Sequence, residues 1–439
     1  MSIDLTRRVL SSQIDPEKMH DTEVVVAGWV EDVRVVGKIL FAILRDREGR
    51  IQITVKKNES PKIYETLKSI HRESVIGVLG KVVKSDIARM GFEIVPKECV
   101  VYSYAHAPLP IGIIDKVHVE LDTRLRHRVL DIRKDNVRAI FKIKATLVEG
   151  FRQSLRKRGF TEVHTSKIIA EGTEGGANLF EVKYFERVAY LAQSPQFYKQ
   201  MMVGAGFERV YEVGMVYRAE PHNTTRHLNE YLSLDLEMGF INDEYDVMQL
   251  ENEILIEMID LINDENKREL RTLGVELPEV PERIPVIHFV EAMEILGYKE
   301  GEKLDLDPED EKRLTEWSKE EHDSEFLFVD GYPLEKRPPY TMPDFERPGY
   351  SRGFDLLFRG MEVTTGGQRI HQYDLLVESY RRRGYDPRKF EFYFEVFKYG
   401  MPPHGGLAIG AERLLMKLLN LNNIREAMIF PRDRERLVP

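Results

Sequence analysis

The chain has 439 residues, of which 42% are hydrophobic and 31% charged, and a formal net charge of −10; this is the balance of a globular protein too long for one typical core, so two or more domains are expected. No apolar run approaches the roughly 20 residues needed to span a bilayer. Met1-Ser2-Ile3-Asp4 lacks the basic and apolar regions of an export signal, and the single cysteine, Cys99, excludes an internal disulfide and any multi-cysteine metal centre, so a cytoplasmic location is expected.

Short strands are predicted at Val24 to Val30, Ile39 to Arg45, Ile51 to Val55, Val75 to Val83 and Phe92 to Val101, with a helix from Pro61 to Arg72 between the third and fourth. Gly37, the Asp46-Arg47-Glu48-Gly49 turn and Gly91 separate them. Five strands with a helix after the third suggest an OB-fold barrel, a fold whose open face commonly holds single-stranded nucleic acid. Residues 1–104 are therefore expected as one domain, 105–130, with Pro108 and Pro110, as a linker, and 131–439 as a second domain. The net charge argues mildly against a nucleic-acid partner. The acid is concentrated, however, at Asn242 to Glu269 and Glu300 to Glu325, while Lys and Arg cluster at Lys56-Lys57, Lys81 to Lys84, Arg124 to Arg138, Arg152 to Arg158 and Arg381 to Arg383.

Beyond the linker, Ala139 to Leu155 places Ile140, Ile143, Leu147 and Phe151 on one helix face, and Phe160 to Thr165 resumes as a strand. Further strands at Val210 to Tyr217, Leu232 to Phe240, Gly353 to Phe358 and Met361 to Thr365 imply an antiparallel sheet flanked by helices, giving an α+β class overall. The polar stretch 242–350 reads as an insertion. No Walker or Rossmann glycine fingerprint is present, so a nucleotide site would have to be built from arginines and carboxylates.

Such residues stand at Arg218-Ala219-Glu220, at the end of an apolar strand, followed by Arg226-His227-Leu228 and, far downstream, by Gly410-Ala411-Glu412-Arg413 opening an apolar helix. Singly, the first is an ordinary surface ion-pair pattern and the last an ordinary helix cap. In this order they resemble motifs 2 and 3 of the class II aminoacyl-tRNA synthetases, and the helix and strand from Ala139 to Thr165 resemble motif 1, which in that family builds a homodimer interface. Here Ser166 stands where the family has a proline.

The resemblance implies an ATP-dependent ligase. Activating a carboxylate on the α-phosphorus of ATP brings two anions together, so cationic forks must be in place around the phosphates. Arg218 would contact the α-phosphate and the substrate carboxylate, Arg226 and His227 the outer phosphates, and Arg413 the γ-phosphate or adenine. Glu220 would bind the adenine amino group with Tyr231 stacking beneath, although a core tyrosine is as good a reading. Ala219, Leu228, Gly410, Ala411 and Glu412 complete the implied ATP site. Glu362 and Thr365 are the candidate Mg²⁺ ligands, threonine replacing the family's usual serine while keeping the hydroxyl.

For the amino acid, Lys199, closing Gln193-Ser194-Pro195-Gln196-Phe197-Tyr198-Lys199, and Arg369, in Gly366-Gly367-Gln368-Arg369, could meet in one pocket. Two buried cations without a partner would be costly, and a side-chain carboxylate would offset that cost, selecting aspartate over its amide. This constellation is similar to the aspartyl enzymes of archaeal type. That resemblance covers nearly the whole chain, including Phe430-Pro431-Arg432-Asp433, and implies a mobile loop carrying Glu174, Gln196 and Asp235 either holding the substrate ammonium or fixing the pocket, and an anticodon site at Phe41 and Gln52. The partners implied are aspartate, tRNA-Asp and, for a non-discriminating enzyme, tRNA-Asn. Asparaginyl enzymes share the framework but lack the lysine at position 199. A non-catalytic nucleic-acid-binding paralogue would not need the complete arginine and carboxylate set, and stand-alone asparagine synthetase relatives lack an anticodon domain.

Overall fold

The computed structural model describes residues 3–114, 117–172, 179–221, 223–299 and 301–439, which divide into two compact units, Met1–Val119 and Glu120–Pro439. Glu174 lies outside the described residues.

In the first unit β1 (Glu23–Val36), β2 (Ile39–Arg45), β3 (Arg50–Lys56), β4 (Val75–Lys84) and β5 (Phe92–Ser103) close a barrel in the order β1-β2-β3-β5-β4, with α1 (Pro61–Ser69) after the third strand. Strand alternation sends Leu40, Ala42 and Leu44 of β2 and Ile51, Ile53 and Val55 of β3 inward, where they are buried. Phe41 is half-buried and outside that core, and Gln52 shares its outward face. Gly28 is required where β1 approaches the end of β2, since a Cβ there would sit 2.2 Å from the Arg45 carbonyl oxygen. At one end of the barrel the buried Arg45 pairs with Glu73 at 2.7 Å and Glu31 at 3.5 Å, and Glu31 also takes Arg50 at 2.6 Å. Glu31 is thus committed to ion pairs.

The strands of the second unit are β6 (Thr161–Glu162), β7 (Ile168–Ile169), β8 (Glu181–Tyr184), β9 (Arg187–Leu191), β10 (Arg209–Tyr217), β11 (Glu230–Gly239), β12 (Val286–His288), β13 (Phe326–Asp330), β14 (Gly353–Phe358), β15 (Glu362–Arg369) and β16 (His404–Gly410). Eight of them form one sheet, β12-β13-β14-β15-β16-β11-β10-β6, antiparallel except for the parallel pairs β12 with β13 and β6 with β10. Its helices are α2 (Leu121–Arg126), α3 (Arg128–Asp131), α4 (Asp135–Lys157), α5 (Gln196–Met202), α6 (Glu244–Glu265), α7 (Lys267–Leu273), α8 (Phe289–Leu296), α9 (Pro308–His322), α10 (Tyr373–Arg382), α11 (Glu391–Lys398) and α12 (Ala411–Leu418). The main core joins Ile143, Leu147 and Phe151 of α4 and Ile254, Leu255 and Met258 of α6 with Leu234, Leu236, Phe354 and Leu407 of the sheet.

Two expectations change. The stretch 242–350 is no insertion apart from the sheet: it supplies α6 to the core, β12 and β13 to the sheet, and α9 beside the cleft described below. Its high charge hid this, because the apolar stripe of α6 is interleaved with acids and α9 buries Asp310 and Glu311 beside Leu314. The strand expected from Phe160 to Thr165 is only Thr161–Glu162, after which Thr165 and Lys167 anchor on the buried Glu212, the Thr165 hydroxyl and the Lys167 ammonium each at 2.7 Å, fixing the chain on both sides of Ser166.

Candidate active site

A cleft of about 220 Å³ opens on the sheet where β10, β11, β15 and β16 meet α5 and the start of α12. Six cations line it among the described residues: Lys199, Arg218, Arg226, Arg337, Arg369 and Arg413. Four of them are latched to carboxylates. Lys199 Nζ donates to Asp235 Oδ1 at 3.0 Å and to the carbonyls of Leu236 at 3.2 Å and Leu407 at 3.0 Å, using its full set of donors, and Glu237 lies 3.4 Å away. Arg369 Nε donates to Glu237 Oε1 at 3.2 Å and Nη2 to the Gly406 carbonyl at 2.8 Å. Arg226 Nη2 meets both oxygens of Glu311, at 2.9 and 2.7 Å. Arg337 forks onto Asp355 at 2.9 and 2.7 Å.

Arg218 and Arg413 differ. Their side chains keep 36% and 25% exposure against at most 14% for the other four, so these two forks are the ones presented to an incoming anion. Burial opposes ionisation of Glu362, but the Arg413 guanidinium at 3.7 Å, the Thr365 hydroxyl, Arg337 and Arg218 together hold its carboxyl below the ordinary value. Thr365 Oγ1 donates to Glu362 Oε1 at 2.8 Å, and Asp355 stands opposite Thr365 in the register of β14 and β15.

Local sequence explains this placement. β10 ends where Arg218 N–H meets the Asn229 carbonyl at 2.9 Å, and the Asn229 amide donates to the carbonyls of Arg218 at 2.7 Å and Glu220 at 3.1 Å, closing the neck of the 219–229 loop, described at 219–221 and 223–229. Glu220 lies 3.8 Å from Arg218 Nη1 and 3.7 Å from His227 Nε2, and Arg218 sits 5.8 Å from the Tyr231 ring centroid. β16 went unpredicted because glycines dilute its strand signal. They are there for contact: a Cβ on Gly406 would lie 2.2 Å from both Glu237 Oε2 and the Leu236 carbonyl oxygen. Behind Lys199, Gln196 donates to Gln200 at 3.0 Å, and Gln200 meets His404 Nε2 at 2.8 Å. Burial pushes His404 down to about 4, so the imidazole is neutral, with Nδ1–H donating to the Pro402 carbonyl at 2.9 Å and Nε2 accepting from Gln200.

Several expected site residues take other positions. Lys199 and Arg369 do come together, but the picture of two cations without partners is corrected, because Asp235 and Glu237 already face them. Asp235 belongs to this latch, with the Ser233 hydroxyl on its second oxygen. Arg226 is held by Glu311. Glu412 lines the cleft, yet its carboxylate is spent on Lys144 at 2.5 Å and the Leu232 N–H at 3.0 Å, tying α4 to β11. Leu228 packs with Met361, Met416 and Ile424 at the cleft wall, and the lining includes Gln196, Tyr231 and Gly410 but neither Ala219 nor Ala411. Glu237, Glu311, Arg337, Asp355 and Asn229 were missed. Glu237 had a signal, since Asp235-Leu236-Glu237 puts two carboxylates on one face of a core strand.

The family model described as tRNA synthetases class II (D, K and N) matches residues 120–434, which take in the whole cleft. The chain belongs to this family. A second model, the OB-fold nucleic acid binding domain of the anticodon type, matches residues 24–102. Among relatives of this class II synthetase, the protein named Aspartate--tRNA(Asp) ligase of Pyrococcus abyssi is 46% identical, the match covering 99% of this chain and 100% of the relative. The Aspartate--tRNA(Asp/Asn) ligase of Methanocaldococcus jannaschii is 44% identical over 98% and 97%. In structure the synthetase superposes on asparaginyl-tRNA synthetase from Pyrococcus horikoshii complexed with asparaginyl-adenylate, with a TM-score of 0.90 and 33% identity, covering 98% of this chain and 99% of that one. Membership in this ligase family implies use of ATP.

Proposed function

We propose that the chain is an aspartate–tRNA ligase that activates aspartate as its adenylate and transfers it to tRNA-Asp. The observation that carries the reading is the difference in exposure among the cleft cations: Arg218 and Arg413 are the most exposed and both bear on Glu362, while the others are buried against carboxylates. In the first step a carboxylate oxygen of aspartate bonds to the α-phosphorus of ATP as the bond to the departing pyrophosphate breaks. Arg218 takes the α-phosphate and the attacking carboxylate, Arg413 and His227 the outer phosphates, and Glu220 and Tyr231 the adenine. Arg226 contributes charge from behind, through its Glu311 pair. Glu362 and Thr365 offer two oxygens to a hard cation that keeps phosphate and water ligands, the coordination Mg²⁺ bound with ATP would need. Bound there, Mg²⁺ supplies neutralising charge to the phosphates.

Aspartate rather than asparagine is supported by 46% identity to a relative named for aspartate against 33% to the asparaginyl structure. Relatives named for Asp and for Asp/Asn stand at nearly equal identity, 46% and 44%, so tRNA-Asn is the second substrate to test. On the barrel, Phe41 offers a half-buried ring, and Gln52 beside it donates to Glu93 at 3.1 Å, presenting an amide edge to a splayed base. The test is aspartate-dependent ATP–pyrophosphate exchange without tRNA, alongside charging of purified tRNA-Asp and tRNA-Asn. Phe41→Ala should weaken charging through a lost stacking contact worth about 1–3 kcal/mol and leave exchange intact. Exchange driven by asparagine but not aspartate would overturn the assignment; equal loss of charging and exchange in the variant would remove Phe41 from the anticodon site.

The motif 1-like elements α4 and β6 support an isologous homodimer. Light scattering should give twice the chain mass of 51.2 kDa, and a fully active monomer would contradict it.

A further inference from the structure

The 219–229 loop carries Glu220 and His227 toward the cleft, and its other side is held by residues from the end of the chain. Ile424 N–H donates to the Thr225 carbonyl at 2.9 Å, Asn229 N–H to the Arg432 carbonyl at 2.9 Å, and Arg434 Nη1 to the Pro221 carbonyl at 3.2 Å. Arg425 does most. Its Nη1 donates to the Thr224 carbonyl at 3.0 Å, its Nη2 to Asn223 Oδ1 at 2.6 Å, and its Nε to Asp433 Oδ2 at 2.5 Å. The second oxygen of Asp433 accepts the N–H groups of Glu435 at 2.9 Å and Arg436 at 2.8 Å, and the two side chains of this ion pair are only 10% and 7% exposed.

Strands β10 and β11 are paired to their ends, so the loop joining them needs no third segment to close it. Removing an ion pair from water is costly, and evidence that such pairs add net stability is weak. What the pair does add is position. The Thr224 whose carbonyl Arg425 holds also places its hydroxyl 2.6 Å from His227 Nδ1 and accepts the Arg226 N–H at 3.3 Å, so a line of contacts runs from Asp433 through Arg425 and Thr224 to His227 and Glu220. Neither Arg425 nor Asp433 lines the cleft.

We propose that residues 424–436 form a strap that sets the 219–229 loop over the cleft, with Arg425 and Asp433 as positioning residues for the nucleotide. The proposal rests on the ligase reading above. Lys199, Arg369, Asp235 and Glu237 are carried by α5, β11 and β15 and touch none of the strap, so the amino-acid subsite is independent of it.

The experiment uses the full chain with Asp433→Ala, Asp433→Glu and Arg425→Lys. Losing the charge-assisted contact should raise the KM for ATP in aspartate-dependent exchange about tenfold, with the KM for aspartate moving less than about twofold. Arg425→Lys should behave like Asp433→Ala, because an ammonium cannot reproduce the planar fork, and Asp433→Glu should recover most of the loss. Hydrogen exchange should quicken in peptides covering 219–229 and stay unchanged across β14 to β16. An unchanged ATP KM with wild-type loop exchange would overturn the proposal. So would equal changes in both KM values with protection lost across the unit, which would make the pair merely structural. Absence of exchange activity in the wild type strikes the ligase reading instead, and the loop's hydrogen exchange still reads the strap.

Discussion

Arg218→Ala is expected to lower aspartate-dependent pyrophosphate exchange by about 10²–10³-fold, the scale of losing one key donor to charge developing in the transition state. Of the six cleft cations Arg218 is the most exposed, and its backbone, not its guanidinium, makes the strand-end bonds to Asn229. Removing the fork should therefore leave the fold intact, and the variant's thermal unfolding should match the wild type. Arg226→Ala gives the contrast. It strands the buried Glu311 carboxylate, which burial already pushes above its ordinary value and which also accepts the Glu362 N–H at 3.0 Å, so its defect should include lost stability. Wild-type exchange by Arg218→Ala would refute the role given to Arg218.

The largest effect on stability is expected from Lys199→Met. It would leave the buried Asp235 without its cation and the neighbouring Glu237 with Arg369 alone. Breaking a buried pair from one side typically costs about 3–5 kcal/mol, so the melting temperature should fall markedly while aspartate binding is lost to repulsion. Adding Asp235→Asn removes the stranded charge and should restore much of the melting temperature without restoring preference for aspartate. A single variant that melts like the wild type would show that the latch is not what holds this part of the core.

The barrel was readable because its strands alternate and its turns carry glycine: Ile39–Arg45 falls where the sequence places it. The cleft was readable in part, since arginines and a Gly-led helix at these separations have few other uses. What could not be read were the partners. Glu311 and Arg337 sit in a stretch whose charge suggested a solvated insertion, and nothing local marks them as lying opposite Arg226 and Asp355. Asn229 looks like one polar loop residue among many until the neck it closes is seen. The argument for aspartate from two unpartnered cations failed for the same reason: the alternation Asp235-Leu236-Glu237 was visible, but which face it used was decided by the register of β11 with β16.

The latched cations also bear on what happens when a ligand arrives. The buried pairs Lys199–Asp235 and Arg369–Glu237, whose carboxylates stand on β11, are not placed to swing toward a phosphate, so the electric field they set up at the cleft is present before binding and changes little afterwards. Reorganisation is then confined to Arg218, Arg413 and the 219–229 loop, a small number of rotors to immobilise for a ligand as highly charged as ATP. Most of the entropy of ordering this site is thus spent once, when the chain folds, rather than at every turnover.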